Sequence, residues 1–336
     1  MPKIRQEGTK MKVIGIDIGG TKSGITLAGC TGDTVEFYEK TGFPTEGSPD
    51  AVMEKLVCGV RSVLKKHGIA ASDIAAAGIN CGGPLDTKTG TILCPPNLPG
   101  WINIPAVSYF ESALGIPCFL QNDANAGAIA EHLFGAGKGF DNIIFLTHGT
   151  GMGAGFILDG RLYSGTNDMA GEVGHLRLER FGPVGFGKAG SFEGFCSGGG
   201  VARLAQTMAM EKLQTGGTVQ FCSSLAQLPD ITAKTVADAA KNGDLLARQV
   251  FNISGKYLGR ALALLIDILN PQRILLGSIY GRCKEFLQDS MMHEIEKEAL
   301  SFSRRVCEIR ECGLGESIND YEAVSIAVYA LRNQGK

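Results

Sequence analysis

Val13-Ile-Gly-Ile-Asp17-Ile-Gly19-Gly20-Thr21-Lys22, followed by Ser23-Gly-Ile-Thr-Leu-Ala28, is the stretch whose reading decides the fold. β-Branched residues bracket Gly15 and Asp17 in near alternation, which predicts a strand over 13–18. Gly19 to Lys22 then turns the chain, and 23–28 returns as a second strand. A carboxylate at a strand end, then two glycines, a threonine and a lysine, supplies what a phosphate chain needs. The backbone N–H groups form a nest, Thr21 gives a hydroxyl, and Asp17 can hold Mg²⁺ directly or through water. A type I′ hairpin with Gly-Gly at its tip would use the same residues. Lys22 reads either as a phosphate contact or as a solvated turn lysine.

Working outward, residues 50–67 read as a helix with apolar side chains at Val52, Leu56, Val60, Val63 and Leu64. Short strands are expected over 74–80 and 117–120, with a long ordered Pro- and Gly-rich loop over 84–105 between them. Asn122-Asp123 opens a helix that Gly135 ends. A strand over 142–147, a glycine turn over 149–155 and a return strand over 156–158 follow, and Asp159-Gly160 makes a hairpin turn into 161–163. The chain thus writes strand, glycine-rich turn, strand twice, starting near residues 13 and 142. That echo suits two α/β halves, each offering a phosphate loop to a shared cleft. Later segments read mostly as helices, over 235–240, 244–268 and 323–332, with one strand over 273–276 ending at Gly277.

Composition limits the function classes. The chain has 336 residues, 32 basic and 34 acidic, for a net charge of −2. That length suits two domains sharing a cleft. No basic stripe points to nucleic acid and no charge run forms a tail. The polar start, with Lys3, Arg5, Glu7, Lys10 and Lys12, lacks the apolar core of a signal peptide. The most apolar later run, 261–269, is too short to span a bilayer. Ten cysteines are scattered without a Cys-x-x-Cys pair, which reads as reduced thiols in a cytoplasmic protein. Glycine is in excess at 47 residues, clustered at 19–20, 149–155 and 182–200, and such clusters bring backbone close to phosphate.

Other motifs fail on context. Gly149, Gly151 and Ala154 satisfy G-x-G-x-x-G/A, but a strand follows where a dinucleotide site needs a helix. There is no G-x-x-x-x-G-K-[ST], G-x-S-x-G or H-E-x-x-H, which removes the P-loop and the commonest hydrolase and zinc-protease readings.

Taken in order, four motifs resemble one family. Asp17-x-Gly-Gly-Thr-Lys22, Asn122-Asp-Ala-Asn-Ala126, Gly149-Thr-Gly-Met-Gly-Ala-Gly155 and Glu172-Val-Gly-His175 look like the repressor/open-reading-frame/kinase (ROK) family of sugar kinases, in the actin-like, hexokinase-like ATPase superfamily. The likeness runs from residue 12 to about 332. It implies an α/β fold of two actin/ribonuclease-H-like domains flanking a central cleft. We expect a smaller domain of 11–121 plus 314–336 and a larger one of 122–313.

The resemblance also implies roles. Asp123 would be the general base for a hexose hydroxyl in an ATP- and Mg²⁺-dependent, glucokinase-like phosphorylation. The helix dipole and Asn122 would keep it ionised and aimed into the cleft. Taken alone, Asp123 reads as a helix cap. Gly83, Asn97, Asn122, Glu172, His175 and Glu193 match positions that bind sugar hydroxyls. Glu172 and His175, three apart, would share a face of one helical turn. Asp17, Gly19, Gly20, Thr21, Lys22, Gly149, Thr150, Gly151 and Gly277 match ATP-binding positions. Trp101 is either part of the sugar-side loop or packing. A homodimer is common among such relatives.

Three departures stand out. Where many family members hold zinc with three cysteines and a histidine, this chain has Val184-Gly-Phe-Gly-Lys-Ala-Gly-Ser191. Val184, Phe186 and Ser191 replace the thiolates, so zinc is not expected and packing should replace it, with nearby Cys196 the one remaining thiol. The family's Gly-Ala-Ala becomes Glu322-Ala-Val-Ser325, and its Gly-Gly-Gly near adenosine becomes Gly277-Ser278-Ile279, which leaves the nucleotide base open. The same family includes sugar-sensing repressors, which carry a winged helix-turn-helix of roughly 60–80 residues ahead of the kinase fold. About ten residues precede the first strand here, so an enzyme is expected, with a regulator or a silent sugar-binding protein as alternatives. Which sugar is used stays open.

Overall fold

The computed structural model describes residues 10–333; the first part of the charged start and residues 334–336 of the expected smaller domain lie outside the described residues. In the first half, β1 (Met11–Ile18), β2 (Lys22–Thr31) and β3 (Thr34–Pro44) form an antiparallel meander, followed by α1 (Pro49–Lys66) and β4 (Ile74–Cys81). A small hairpin of β5 (Leu85–Asp86) and β6 (Thr91–Ile92), then α2 (Ala106–Leu114), lead to β7 (Cys118–Gln121). The sheet order is β3-β2-β1-β4-β7, with β4 parallel to β1 and β7 parallel to β4. The loop expected over 84–105 therefore carries a hairpin, tied back by a bridge from Ile92 to Ile104. Trp101 is 2% exposed in this half's core, which settles it as packing.

α3 (Asp123–Phe134) crosses to the second half, where β8 (Ile143–Leu146), β9 (Ala154–Leu158) and β10 (Arg161–Leu162) form another meander. The hairpin of β11 (Val184–Gly185) and β12 (Lys188–Ala189), and the helices α4 (Phe192–Cys196), α5 (Gly198–Gln214), α6 (Ala233–Lys241) and α7 (Leu245–Leu269), precede β13 (Arg273–Leu276). Then come α8 (Ser278–Glu298), α9 (Ser301–Arg304), β14 (Glu308–Glu311) and α10 (Ile318–Asn333). The order β10-β9-β8-β13-β14 repeats the first sheet, with the last two strands again parallel additions. The faint echo in the sequence is a full topological repeat.

β3, α2, α5, α8 and β14 were not legible in detail, and β14 corrects the expectation of a single late strand. The glycines at 198–200 start α5, capped by Ser197, whose Oγ accepts the Gly200 N–H at 3.0 Å. That part of the third glycine cluster is helix, not phosphate loop. All ten cysteines are free; Cys58 and Cys94 are exposed, and six are buried. Among the described residues no helix is long and apolar enough to cross a membrane.

α3 and α10 lie side by side between the sheets, α3 against β8 and β9, α10 against β1 and β4. α3 is mostly buried and α10 is buried along 322–328, and both pack through small residues where the sheets approach closely. A Cβ on Gly155 would lie 2.4 Å from the Ala124 carbonyl oxygen, and one on Gly78 would lie 2.0 Å from that of Ala323. Asn122 starts α3 by accepting the Asn125 N–H at 2.7 Å, a cap whose loss typically costs about 1 kcal/mol. This arrangement aims the N-terminal ends of both helices at the space between the halves.

Candidate active site

That space is a cleft of about 750 Å³. It brings together Asp17, Gly19, Gly20, Gly83, Asn97, Asp123, Gly149, Thr150 and Gly277 from the expected site, with Asn80 and Glu322 added. Thr21, Lys22, Asn122, Gly151, Glu172, His175 and Glu193 do not line it.

The first glycine turn closes with Gly19 N–H donating to the Lys22 carbonyl at 3.2 Å. Neither Gly19 nor Gly20 has a positive φ, so the type I′ alternative does not apply. Gly20 is required by contact: a Cβ there would sit 2.3 Å from the Asn97 carbonyl oxygen. Thr45 braces the turn from β3's end, its Oγ1 donating to the Gly19 carbonyl at 2.7 Å. Thr21 and Lys22 are exposed at the tip. The Lys22 stem lies over Gly42, within 2.6 Å of where a Cβ would be, yet its charge still acts on Asp17.

Behind the turn, Asp17 on β1 sits in register with Asn80 on β4. Asn80 Nδ2 donates to Asp17 Oδ1 at 3.1 Å and to Glu322 Oε2 on α10 at 3.0 Å. Asn80 Oδ1 is buried without a partner. Burial pushes the Asp17 carboxyl up to about 6, against the opposing Asn80 bond, and the nearby Asp123 charge adds to the rise. Glu322, 8% exposed, is pushed up to about 8 by burial first and then by the charges of Asp123 and Asp17. Sequence reading missed both Asn80 and Glu322. Their signals were a polar residue ending a buried strand, and the very replacement at 322 noted above.

Asp123 begins α3 and is exposed to the cleft, although the cleft walls still enclose its carboxyl enough for desolvation to be the largest influence on it. That enclosure raises its carboxyl above the ordinary range, and the Ala124 N–H donated to Oδ1 at 2.8 Å opposes the rise without cancelling it. Desolvation thus outweighs the helix end in setting the direction of its shift. Asn122 spends its side chain on the Asn125 N–H, not on Asp123.

The second glycine loop is stapled at its mouth: Thr147 N–H donates to the Gly153 carbonyl at 3.0 Å, and Gly153 N–H to Thr147 Oγ1 at 3.1 Å. His148, fully buried with φ 40°, donates from Nε2 to the Cys196 carbonyl at 3.0 Å. Burial lowers it to about 4, so it is neutral at pH 7. Glu193 Oε2 accepts the Met152 N–H at 3.2 Å, tying α4 to this loop.

Glu172 and His175 flank a single 3₁₀ turn, Val173–His175. Burial raises the Glu172 carboxyl, His175 lowers it, and Asp123 and Glu193 raise it further, so these groups share one electrostatic neighbourhood outside the cleft proper. Phe186 meets His175 edge-on, ring centroids 5.4 Å apart. Val184 and Phe186 remain 45% and 67% exposed, so packing replaces the thiolates only in part. Ser191 caps α4, accepting the Gly194 N–H at 3.1 Å. Cys196 is buried and its Sγ donates to the Ser254 carbonyl at 3.4 Å. Among the described residues no group of three or more His, Cys, Asp or Glu is arranged to hold a metal.

Comparison with known proteins agrees with this architecture. The ROK family model matches residues 13–319. A glucokinase of Halalkalibacterium halodurans is 30% identical over 90% of each chain. A xylose repressor of Caldicellulosiruptor bescii is 30% identical over 79% of this chain and 65% of its own. Among solved structures, a ROK hexokinase from Thermus thermophilus superposes with a TM-score of 0.76 at 27% identity, covering 97% of this chain and 100% of that one. A ROK glucokinase from Streptomyces griseus in complex with glucose and AMPPNP has a TM-score of 0.71 at 27% identity, covering 96% and 100%. The fold is the two-domain, actin-like ATPase fold, and these likenesses support a sugar kinase.

Proposed function

The chain belongs to the ROK family, and from that premise we propose that it transfers the γ-phosphoryl group of ATP to a hexose hydroxyl, with Asp123 as general base. The observation that carries this reading is one carboxylate, Asp123, lining the same cleft as both glycine loops. The hydroxyl proton passes to Asp123 as its oxygen attacks phosphorus. A carboxyl above its ordinary range is a stronger base once ionised, and phosphoryl transfer needs little more than positioning and charge neutralisation. Backbone N–H groups of 19–22 and 149–151 would cradle phosphate oxygens. Gly83, Asn97, Asn122, Glu172, His175 and Glu193 would hold sugar hydroxyls, and Gly277 would lie against the nucleoside.

The carboxylate oxygens of Asp17, which lines the cleft, fit Mg²⁺, a hard cation. Bound at Asp17, Mg²⁺ would neutralise charge on the phosphates. In this reading 11–121 with 314–336 forms the smaller domain and 122–313 the larger. The 30% identity to a xylose repressor favours one second reading, a sugar-sensing regulator of the same fold.

A coupled ATPase assay over a panel of hexoses tests the proposal. At least one hexose should be phosphorylated, and Asp123→Asn should keep sugar and ATP binding while cutting turnover by roughly 10² or more. Sugar binding without phosphorylation would favour the regulator, and a fully active Asp123→Asn would remove Asp123 as the base.

A further inference from the structure

The loop over 163–170 inverts the usual burial. Tyr163 and Met169 stand 52% and 41% exposed, whereas Asp168, at 8%, is the loop's only buried residue. Asp168 also has a positive φ of 59°, a backbone state that residues other than glycine, asparagine and aspartate seldom adopt. A buried carboxylate in that state persists only where its surroundings hold it there.

Its bonds reach across to one residue of the first half. Asp168 Oδ2 accepts the Thr87 N–H at 2.8 Å, and the Thr87 hydroxyl donates to Oδ1 at 3.0 Å and Oδ2 at 2.9 Å. Beside it, Lys88 Nζ donates to the Thr166 carbonyl at 3.2 Å. Both ends are braced. Asp86 Oδ1 accepts the Lys88 and Thr89 N–H groups at 2.9 and 3.1 Å, which fixes the turn presenting Thr87. On the other side, Ala170 N–H closes the loop onto the Ser164 carbonyl at 3.1 Å. Ala154 N–H of β9 then ties it down at the Gly171 carbonyl, 2.9 Å away.

Thr87 lies four residues after Gly83, and Asp168 lies four before Glu172. The contact therefore joins, across the halves, the segment carrying Gly83 to the segment carrying Glu172 and His175. We propose that Asp168 is a positioning residue for the sugar site, a strut that acts through Thr87. It holds the Glu172–His175 turn at a fixed spacing from the Gly83 loop. This rests on the reading of those residues as sugar contacts. An apolar contact could join the halves without a buried charge, but two acceptor oxygens on one residue fix orientation as well as distance. A hexose then meets segments already spaced, and less ordering is left for its binding to do.

The test measures hexose binding to the full chain by calorimetry, with glucose, mannose and fructose as probes. Asp168→Gly suits it, because glycine keeps the positive φ and removes only the carboxylate. The dissociation constant of the bound hexose should rise about tenfold or more, while ATP affinity and kcat at saturating hexose stay within about threefold of wild type. Thr87→Val loses the hydroxyl's bonds and keeps the N–H bond. It should weaken hexose binding by about threefold in wild type and no further in Asp168→Gly, since both changes break one contact. Thr87→Ser should bind as wild type does. A lowered melting temperature with hexose affinity unchanged in Asp168→Gly, an equal loss of ATP affinity, or additive effects of the two changes would each overturn the proposal. If Asp168→Gly does not fold, Thr87→Val decides, and its binding hexose as wild type does would overturn the strut. The kinase reading fails separately. A hexose whose binding depends on Asp168 but that is not phosphorylated keeps the strut and removes the reaction. Phosphorylation with hexose affinity indifferent to Asp168 keeps the reaction and removes the strut, and no hexose bound by folded wild type removes both.

Discussion

The two halves share a strand order and differ at one matched position. In the first, Asp17 stands two residues before the turn's first glycine; in the second, Thr147 does. Around Asp17 the structure gathers further acid, Asn80 linking it to Glu322. Around Thr147 it gathers neutral groups: the hydroxyl staples its own loop to Gly153, and the neighbouring His148 is buried uncharged. One topology therefore yields an acidic loop suited to a cation and a neutral loop that offers backbone N–H groups. The repeat fixes where a phosphate loop can form, and the residue two before the glycine decides what that loop can hold.

The largest expected effect breaks this asymmetry directly. Asp17→Asn keeps the shape and the contact with Asn80 but removes the charge proposed to face Mg²⁺, and kcat/KM for the phosphorylated hexose should fall by about 10³. Thr147→Val keeps the shape and the backbone bond to Gly153 but loses the hydroxyl's bond to the Gly153 N–H, and the fall should be only about tenfold. Measured side by side with saturating Mg²⁺, equal losses would mean the two loops do the same work. Raising Mg²⁺ should rescue neither fully, and Thr147→Val should show an unchanged Mg²⁺ dependence.

A second, smaller effect lies in stability. Glu322 is raised in the folded state to about 8 from an ordinary 4.5, so the folded chain holds a proton that the unfolded chain has lost. The stabilising contribution is complete below about pH 4.5 and is lost as pH rises through about 8. Without added metal, wild type should lose up to ~4 kcal/mol relative to Glu322→Gln between pH 5 and pH 8. Denaturant melts at the two pH values check this. Parallel curves would show that Glu322 ionises without penalty, and the acidic loop would then be no more strained than the neutral one.

How much of this was legible follows from which forces are local. The strand-turn-strand at 13–28 and the Asn122 cap are set by short-range pattern, and both were read with nearly correct bounds. β3 and β14 were not, because polar edge strands carry little alternation and form only by pairing with a neighbour. Asp17, Asp123 and the glycine loops stood out because their residue types are tied to chemistry within a few positions. Asn80 and Glu322 meet 242 residues apart in the chain, a contact only the docking of α10 on β4 creates. The replacement at 322 was visible, but read without that contact it signalled a weaker nucleotide site, not an added carboxylate. The raised carboxyl of Asp123 was also missed, since desolvation depends on what the opposite half brings near.

The smallest effect is geometric, and it asks whether the unlike loops move as a pair. Asn97 lines the cleft, whereas Glu172, His175 and Glu193 lie outside it in this conformation, so one sugar can touch both sets only if the halves approach. The chain crosses between halves twice, at 121–122 and near 313–314. The buried Glu131, near the C-terminal end of α3, holds the second of these by accepting N–H groups from Gly313 and Leu314 at 2.9 Å each, and it also accepts from Ala136 at 2.7 Å. Two crossings leave rotation of one half against the other as the easy motion. Adding the preferred hexose should lower the radius of gyration by on the order of 1 Å from the ~20 Å of a compact chain this long. ATP hydrolysis without sugar should be slow, since the open form leaves Asp123 without a positioned hydroxyl. Small-angle scattering with and without the sugar reads the first and a phosphate-release assay the second. An unchanged radius together with rapid sugar-independent hydrolysis would mean that the acidic and neutral loops already stand in their working positions, and that their difference serves phosphate binding alone.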